Sequence, residues 1–526
     1  MFNKQIIKRC RAAGILLLTF FLFTCGNPTV EEVRIAPVIT RTYETYNFTG
    51  LNGNDIYMLK VNRSASTVGA ASTGRIASTN YSGAEPISRS SFDADFLPMG
   101  HPAATALSAN PPAFVDEPPG SRSLSEVPFV APKVGDKRKF WLEKTFGDAN
   151  WKEKEATLMA TGTHGNIWVV NTNIFQDGDP ESNKKITKKL AEDTAELFDL
   201  IYPPATKLLG YEYGGGPGGN NGRDRDPKVQ ILIYDIVNSK NEVVAGGYFW
   251  GKDYYLQSQI SYSNETEIFY VDTTQVHIPA YMASLLTHEL QHMIHWNEKS
   301  LKVGNSEAWF NEMLSMMAED VIVPIITPDN PRHPRIRYMP MFLTNFWNYG
   351  VTEWLGDSMS YAKAYAFGAY LMRNFGGAEL LQELISNNSS NINAINTALN
   401  KMSPGMNFDT ALRRYGEAFV YGGDPKWDEF MSFDRTVSYD IGDEIYTAEA
   451  INIFAVNRQE PHVSIGGILS THPGTGPLIF SLVPRGMWQH SVILHSNPAW
   501  LNRSGDVSIT VEAPLNPDIE IRFLVK

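Results

Sequence analysis

The chain has 526 residues, a formal net charge of −12 and two cysteines, both within the first 25 positions. The acidic balance argues against nucleic acid as a partner, and the lack of thiols beyond Cys25 excludes a disulfide framework in the body of the protein. A hydrophobic content of 43% with 19% charged residues is that of globular protein, with length for roughly two to four domains.

Lys4, Lys8, Arg9 and Arg11 precede an apolar run from Ile15 to Phe23. The run is too short to span a bilayer but suits the core of a signal peptide. Leu22-Phe23-Thr24-Cys25-Gly26 resembles a bacterial lipoprotein signal. That resemblance implies removal of residues 1–24, acylation of Cys25, and a chain held on the cell envelope by its lipid, facing the periplasm or the exterior. Residues 25–65 carry a short β segment, with alternation from Phe48 to Val61 and an Asn52-Gly53 turn. From 66 to 132 Ser, Ala, Pro and Gly dominate. Such a stretch buries too little to repay its ordering entropy and reads as a tether.

Order returns at about 133. Lys139–Glu143, Lys154–Thr161 and Asn166–Asn171 read as strands. Residues 184–202 take a helical period, which Pro203-Pro204 is expected to end. Gly210–Pro227 is a Gly-rich loop. Its Asn220, Asn221, Asp224 and Asp226 offer oxygens to Ca²⁺, though the spacing matches no defined calcium loop. Strands follow at 229–236, 246–251 and 267–272, the middle one flat enough for a sheet edge. The chain is then mainly helical to about 435, its clearest helix running from Ser360 to Phe375 before Gly376-Gly377. Beyond 440 the period changes to two, at 463–465, 478–482, 491–494, 507–511 and 519–523, which predicts a C-terminal β-sandwich over 440–526.

The chemistry concentrates between Ile278 and Asp320. His288-Glu289-Leu290-Gln291-His292 lies inside an apolar helical pattern. Two His four apart share a helix face and can converge on one metal ion. Glu289 is turned by about 100° from His288, so it suits a general base acting on a water beside the metal rather than a ligand. A catalytic zinc needs a third protein ligand. His295 lies about 10.5 Å along the axis from His288 at 1.5 Å per residue, too far to share an ion with it. Glu312, preceded by Asn311 in a second helical run, is the favoured third ligand. Glu307, near the start of the same run, competes.

These residues carry a resemblance. H-E-x-x-H, nineteen residues, then Asn-Glu is similar to the gluzincin clan of metallopeptidases. T-H-E-L-Q-H-M-I-H-W with W-F-N-E-M-L-S-M-M-A-E-D resembles more closely the hyicolysin family of bacterial secreted metallopeptidases. The resemblance implies zinc held by His288, His292 and Glu312, with Glu289 as base. It also implies an α+β fold: a zincin-like domain at 133–435, with a mixed sheet and active-site helix up to about 297 and a helical subdomain after it, its edge strand lining a cleft. Thermolysin-like relatives place an Asp four residues after the ligand Glu to orient a ligand His. Met316 stands there in this chain, so Glu319, Asp320 or backbone must take that role. Tyr361 and Tyr365, four apart, are candidates for the oxyanion donor, against the plainer reading of aromatic packing.

The expected function is zinc endopeptidase action on extracytoplasmic proteins or peptides. The competing expectation is a catalytically silent surface lipoprotein that uses the same fold to bind host or envelope proteins.

Overall fold

A computed structural model describes residues 9–12, 42–77, 100–101, 103–104, 107, 110–114, 129–304, 306–330, 333–427, 431–458, 474–479 and 486–526. Cys25, most of the expected signal peptide, residues 78–99 and 115–128 of the expected tether, the expected strand at 463–465 and residues 480–482 of the one expected at 478–482 lie outside these, and 478–479 are not in a strand. Two compact units form, one from residues 90–478 and one joining residues 1–89 to 479–526.

The larger unit is built on six strands: β1 (Lys137–Glu143), β2 (Trp151–Thr161), β3 (Gly165–Val170), β4 (Val229–Tyr234), β5 (Gly247–Phe249) and β6 (Ile268–Asp272). Their order in the sheet is β1-β2-β3-β4-β6-β5, so β5 is an edge. β3, β4 and β6 run parallel, and β5 returns antiparallel along β6. β3, β4 and β6 are buried at every residue, because both faces are covered. Trp168, Leu232, Tyr234, Tyr248, Trp250 and Tyr270 point to one face and form an aromatic-rich core. The other face carries helices α1 (Lys188–Leu209) and α2 (Pro279–His295).

Helix α1 does not stop at Pro203-Pro204 as expected. Two prolines remove the amide bonds to the carbonyls of Asp199 and Leu200. Leu200 is 59% exposed, so water can reach that backbone, while Ala205, Leu208 and Leu209 beyond the prolines are buried. Burial of the last turn outweighs the lost bonds. Helix α2 starts with Pro279 in its first turn and passes into a π-helical turn at Trp296–Ser300. Gly304 takes φ +70°, which helps the chain double back into α3 (Ala308–Ile326). Helix α4 (Ser358–Asn374) packs on α3. A Cβ on Gly368 would stand 2.7 Å from Met317 Cγ, so glycine permits that approach. The rest is helical to Tyr421 and closes with a hairpin at 437–448.

In the smaller unit, the expected C-terminal sandwich does not form from 440–526 alone. Arg503–Glu512 pairs with Tyr43–Asn54, and Ser491–His495 and Ile519–Val525 flank Ile56–Asn62. Tyr46, Phe48, Met58, Ile509, Val511 and Ile521, drawn from both ends of the chain, share one core. The hairpin at 437–448 belongs to the larger unit. Period-two alternation marks a strand but does not name its partner.

Some of the described residues of the expected tether are packed, whereas Phe129 and Val130 are exposed. Val68, Ala70 and Ile76 are buried in the smaller unit, and His101 in the larger. Few apolar residues suffice there, because the sheets supply the rest of the surface.

Candidate functional site

Helices α2 and α3 pack against each other, and every residue of α2 from Tyr281 to His295 is buried. The four-residue spacing puts His288 and His292 on one face, with ring centroids 4.6 Å apart at 89°. Glu312, in the second turn of α3, faces both. Its Oε2 lies 3.1 Å from His288 Nε2 and 3.6 Å from His292 Nε2. Among the described residues, His288, His292 and Glu312 are the group of His, Cys, Asp or Glu side chains whose ligand atoms all fall within 4.8 Å and could hold a metal ion. Donors bound tetrahedrally at about 2.0–2.1 Å stand about 3.3 Å apart. The observed separations fit that set.

The remaining imidazole nitrogens are held from behind. His288 Nδ1 lies 2.8 Å from Glu319 Oε1, and His292 Nδ1 lies 3.0 Å from Ser315 Oγ, which also donates to Gln291 Oε1. Such bonds set the tautomer and aim Nε2 at the shared position. Of the residues offered for the place of Met316, which is core, it is Glu319 that faces His288. Asp320 is engaged elsewhere, with Arg373 Nη1 at 2.7 Å and Nη2 at 3.3 Å.

The site gathers buried ionisable groups. Glu289, Glu312 and Glu319 are buried around two imidazoles. Burial opposes protonation of His288, but its hydrogen bonds to Glu312 and Glu319 outweigh that and raise it to about 10. Burial also pushes Glu312 up, yet His292 and His288 hold it below the ordinary carboxylate value. Glu289 is pushed well up, chiefly by burial. Among the described residues no side chain bonds its carboxylate, which lies under β5, where the Phe249 backbone acts on it and Oε1 is 3.5 Å from a Cβ built on Gly247.

The other sequence candidates are placed as follows. Glu307 precedes α3 as its cap, and its carboxylate accepts from Trp309 Nε1 at 2.9 Å and Asn391 Nδ2 at 3.0 Å. His295 Nε2 is 2.8 Å from Ser306 Oγ, and burial holds its pKa well down. Tyr361 sits at the centre: its ring is 6.5 Å from that of His288 and edge-on to Trp354 at 4.9 Å. Tyr365 faces the Asp320–Arg373 pair. In the Gly-rich loop, Asn220 Oδ1 accepts from Gly222 N at 3.0 Å, Asp224 pairs with Arg138 at 3.1 Å, and Asp226 accepts from Asn166 Nδ2 at 2.8 Å. These side-chain oxygens are engaged by protein donors.

Sequence reasoning missed Ser315, although a residue three beyond Glu312 shares its helix face. It also missed Gly100. A Cβ there would stand 3.4 Å from Glu312 Oε1 and 3.8 Å from the Tyr361 hydroxyl. Nothing in the spacing of residue 100 signals that contact.

A family model described as Peptidase M30 matches residues 152–421, more than half of the chain. Neutral metalloprotease ShpI of Staphylococcus hyicus is 27% identical over 318 residues, covering 55% of this chain and 65% of that protein. The match thus spans just under two thirds of that relative's length. It agrees with the resemblance to the hyicolysin family, and the family match takes in β2 from its second residue, β3 to β6 and all of α1 to α4. The chain belongs to the peptidase M30 family.

Proposed function

We propose that this chain is a zinc-dependent metalloendopeptidase with a zincin layout, in which α2, α3 and the edge strand β5 frame the cleft. The observation that carries this reading is the convergence of His288 Nε2, His292 Nε2 and a Glu312 oxygen on one position. A zinc ion held there supplies Lewis acidity, which makes an attacking water a nucleophile near neutral pH. The chain's own residues do the rest. Glu289 accepts the proton of the attacking water and delivers it to the leaving amine. β5 offers the unpaired backbone of a sheet edge to an extended peptide. The Tyr361 hydroxyl donates to the oxygen on which charge develops. Glu319 and Ser315 hold the two imidazoles in place.

The substrates proposed are extracytoplasmic proteins or peptides. This follows from the lipoprotein-like signal and the acylation expected at Cys25, which also makes the membrane surface a partner through lipid.

Zinc content and casein cleavage of the purified chain test this reading. One zinc per chain is expected, with cleavage that a chelator abolishes and zinc restores. Glu289→Gln should keep the zinc and lose cleavage. His292→Ala and Glu312→Ala should lose both, and full zinc retention by Glu312→Ala would remove it from the ligand set. Bound zinc without cleavage of any protein substrate, in parent and Glu289→Gln alike, would instead favour the silent binding lipoprotein.

A further inference from the structure

The Gly-rich loop after α1 closes around two buried carboxylates that the His288–His292–Glu312 site does not use. Glu212 follows the end of α1, and Glu267 immediately precedes β6. Each is 3% exposed. Each has a protein donor on one oxygen: Glu212 Oε1 accepts from the Tyr202 hydroxyl at 2.7 Å, and Glu267 Oε1 accepts from Arg223 N at 2.8 Å. The other oxygen of each, Oε2, is buried with no hydrogen-bond partner among the described residues. The charged groups that bear most on Glu267 are Asp224 and Glu212, both negative.

Glycine makes this enclosure possible. A Cβ on Gly215 would stand 2.5 Å from Glu212 Oε1, and one on Gly222 would overlap the Glu267 carboxylate. A Cβ on Gly214 would overlap the backbone of Gly222, so the stretches of loop that cover the two carboxylates touch each other. Gly214 and Gly222 take φ +77° and +72°, a region open mainly to glycine. Asn221 N donates to Gly214 O at 3.0 Å, which helps to fix the loop. A cleft lined by Tyr202, Tyr211, Gly214, Gly215 and Asn221 opens beside it and offers an entry path.

A buried carboxylate without a compensating charge is costly, and burial pushes both groups up, Glu267 well up. Two oxygens without donors, held under one loop, call for protons or a cation. The donors on offer are oxygens, from carboxylates and loop carbonyls, and that set suits a hard cation. Ca²⁺ takes roughly six to eight oxygens in adaptable geometry, carbonyls included, whereas Mg²⁺ keeps several of its waters, which a loop closed this tightly does not favour.

We propose that Glu212 and Glu267 hold a Ca²⁺ ion through their Oε2 atoms, with carbonyls of the Gly-rich loop completing its shell. The ion ties the end of α1 and its loop to the start of β6. Asn220, Asp224 and Asp226, the acidic and amide residues more obvious in the sequence, bind protein donors and shape the loop instead.

Calorimetric titration of the calcium-free full chain with calcium chloride tests this. One ion per chain should bind, and the unfolding temperature of the larger unit should rise with calcium. Glu212→Gln and Glu267→Gln keep the side-chain shape and remove one charge each. Either should weaken calcium binding about ten-fold or more, since ligand charge sets affinity at oxygen sites, while zinc content stays at the parental level. The two residues lie on different segments, so either variant decides if the other does not fold. Terbium, a calcium substitute whose emission is excited by nearby aromatic rings, reports on the parent itself: calcium should quench that emission, given Tyr202 beside Glu212. No saturable calcium binding below about 10 mM, weaker than extracellular calcium modules, would leave the carboxyls to protons and overturn the proposal. Parental calcium affinity in a folded variant, or magnesium binding as tight as calcium, would overturn it too. None of these measurements depends on peptidase activity.

Discussion

His288 Nδ1 and Glu319 Oε1 stand 2.8 Å apart, both wholly buried, with Glu319 seven residues beyond Glu312 on the same helix. Seven residues are two turns, so both carboxylates face α2. Glu312 meets one nitrogen of His288 and Glu319 the other. Position 316 is a core methionine, and the carboxylate behind His288 comes from the next turn.

Glu319→Gln should therefore weaken zinc binding about 10- to 100-fold, the usual cost of losing a carboxylate behind a ligand imidazole. Met316→Leu, which changes neither charge nor hydrogen bonding, should leave affinity intact. Competition against a chelator of known affinity measures both. Equal affinities in the two variants would show that Glu319 does not act on the metal.

The two tyrosines of α4 separate cleanly. Tyr361→Phe should lower kcat about 10²- to 10³-fold, as loss of an oxyanion donor does, with KM little changed. Tyr365→Phe should leave kcat near the parental value, because its hydroxyl faces Asp320 and Arg373 rather than the metal site. Steady-state kinetics on one peptide substrate distinguishes them.

Asp320 and Arg373 form a buried ion pair that ties α3 to α4. Asp320→Asn leaves a buried guanidinium without its counter-charge and should cost about 3–5 kcal/mol. The double variant Asp320→Asn, Arg373→Met should recover part of that loss. Thermal or denaturant unfolding of the larger unit gives the comparison.

Lys60 sets a pH dependence in the smaller unit. Its Nζ donates to Gly74 O at 2.6 Å, yet burial lowers its pKa to about 7. The unfolded chain, with an ordinary lysine near 10.4, then binds more protons between the two values. Stability should rise with pH across that window, by up to about 1.4 kcal/mol per unit from this one group. Below pH 7 the cost of the buried charge is fully present. Lys60→Met should be more stable than the parent at pH 7, with the difference shrinking by pH 10, as read from paired unfolding curves.

The convergence of His288, His292 and Glu312 could be anticipated from the chain because it depends largely on short-range geometry. Helical pitch places His288 and His292 together, sets Glu289 aside and puts His295 out of reach, whatever the rest of the molecule does. The apolar stripe around these residues and the helical run carrying Glu312 made a two-helix site readable as well. Strand periodicity located β3, β4, β6 and the C-terminal strands Ser491–His495, Arg503–Glu512 and Ile519–Val525 for the same reason.

Choices among distant partners were set by tertiary packing. Glu319 and Asp320 are adjacent on α3, and a turn of about 100° sends one to His288 and the other to Arg373. Tyr361 and Tyr365 share a helix and a spacing, yet meet different neighbours. Pro203-Pro204 would end an isolated helix, but burial of the residues beyond them carries α1 on to Leu209. The C-terminal strands join strands more than 400 positions earlier, and Gly100, in a stretch poor in apolar residues, comes to rest beside Glu312 and Tyr361. Local periodicity specifies what an element is and which face it buries. Which surface it meets depends on the free energy of contacts between segments far apart in the chain, and that is resolved when the sheets and helices pack.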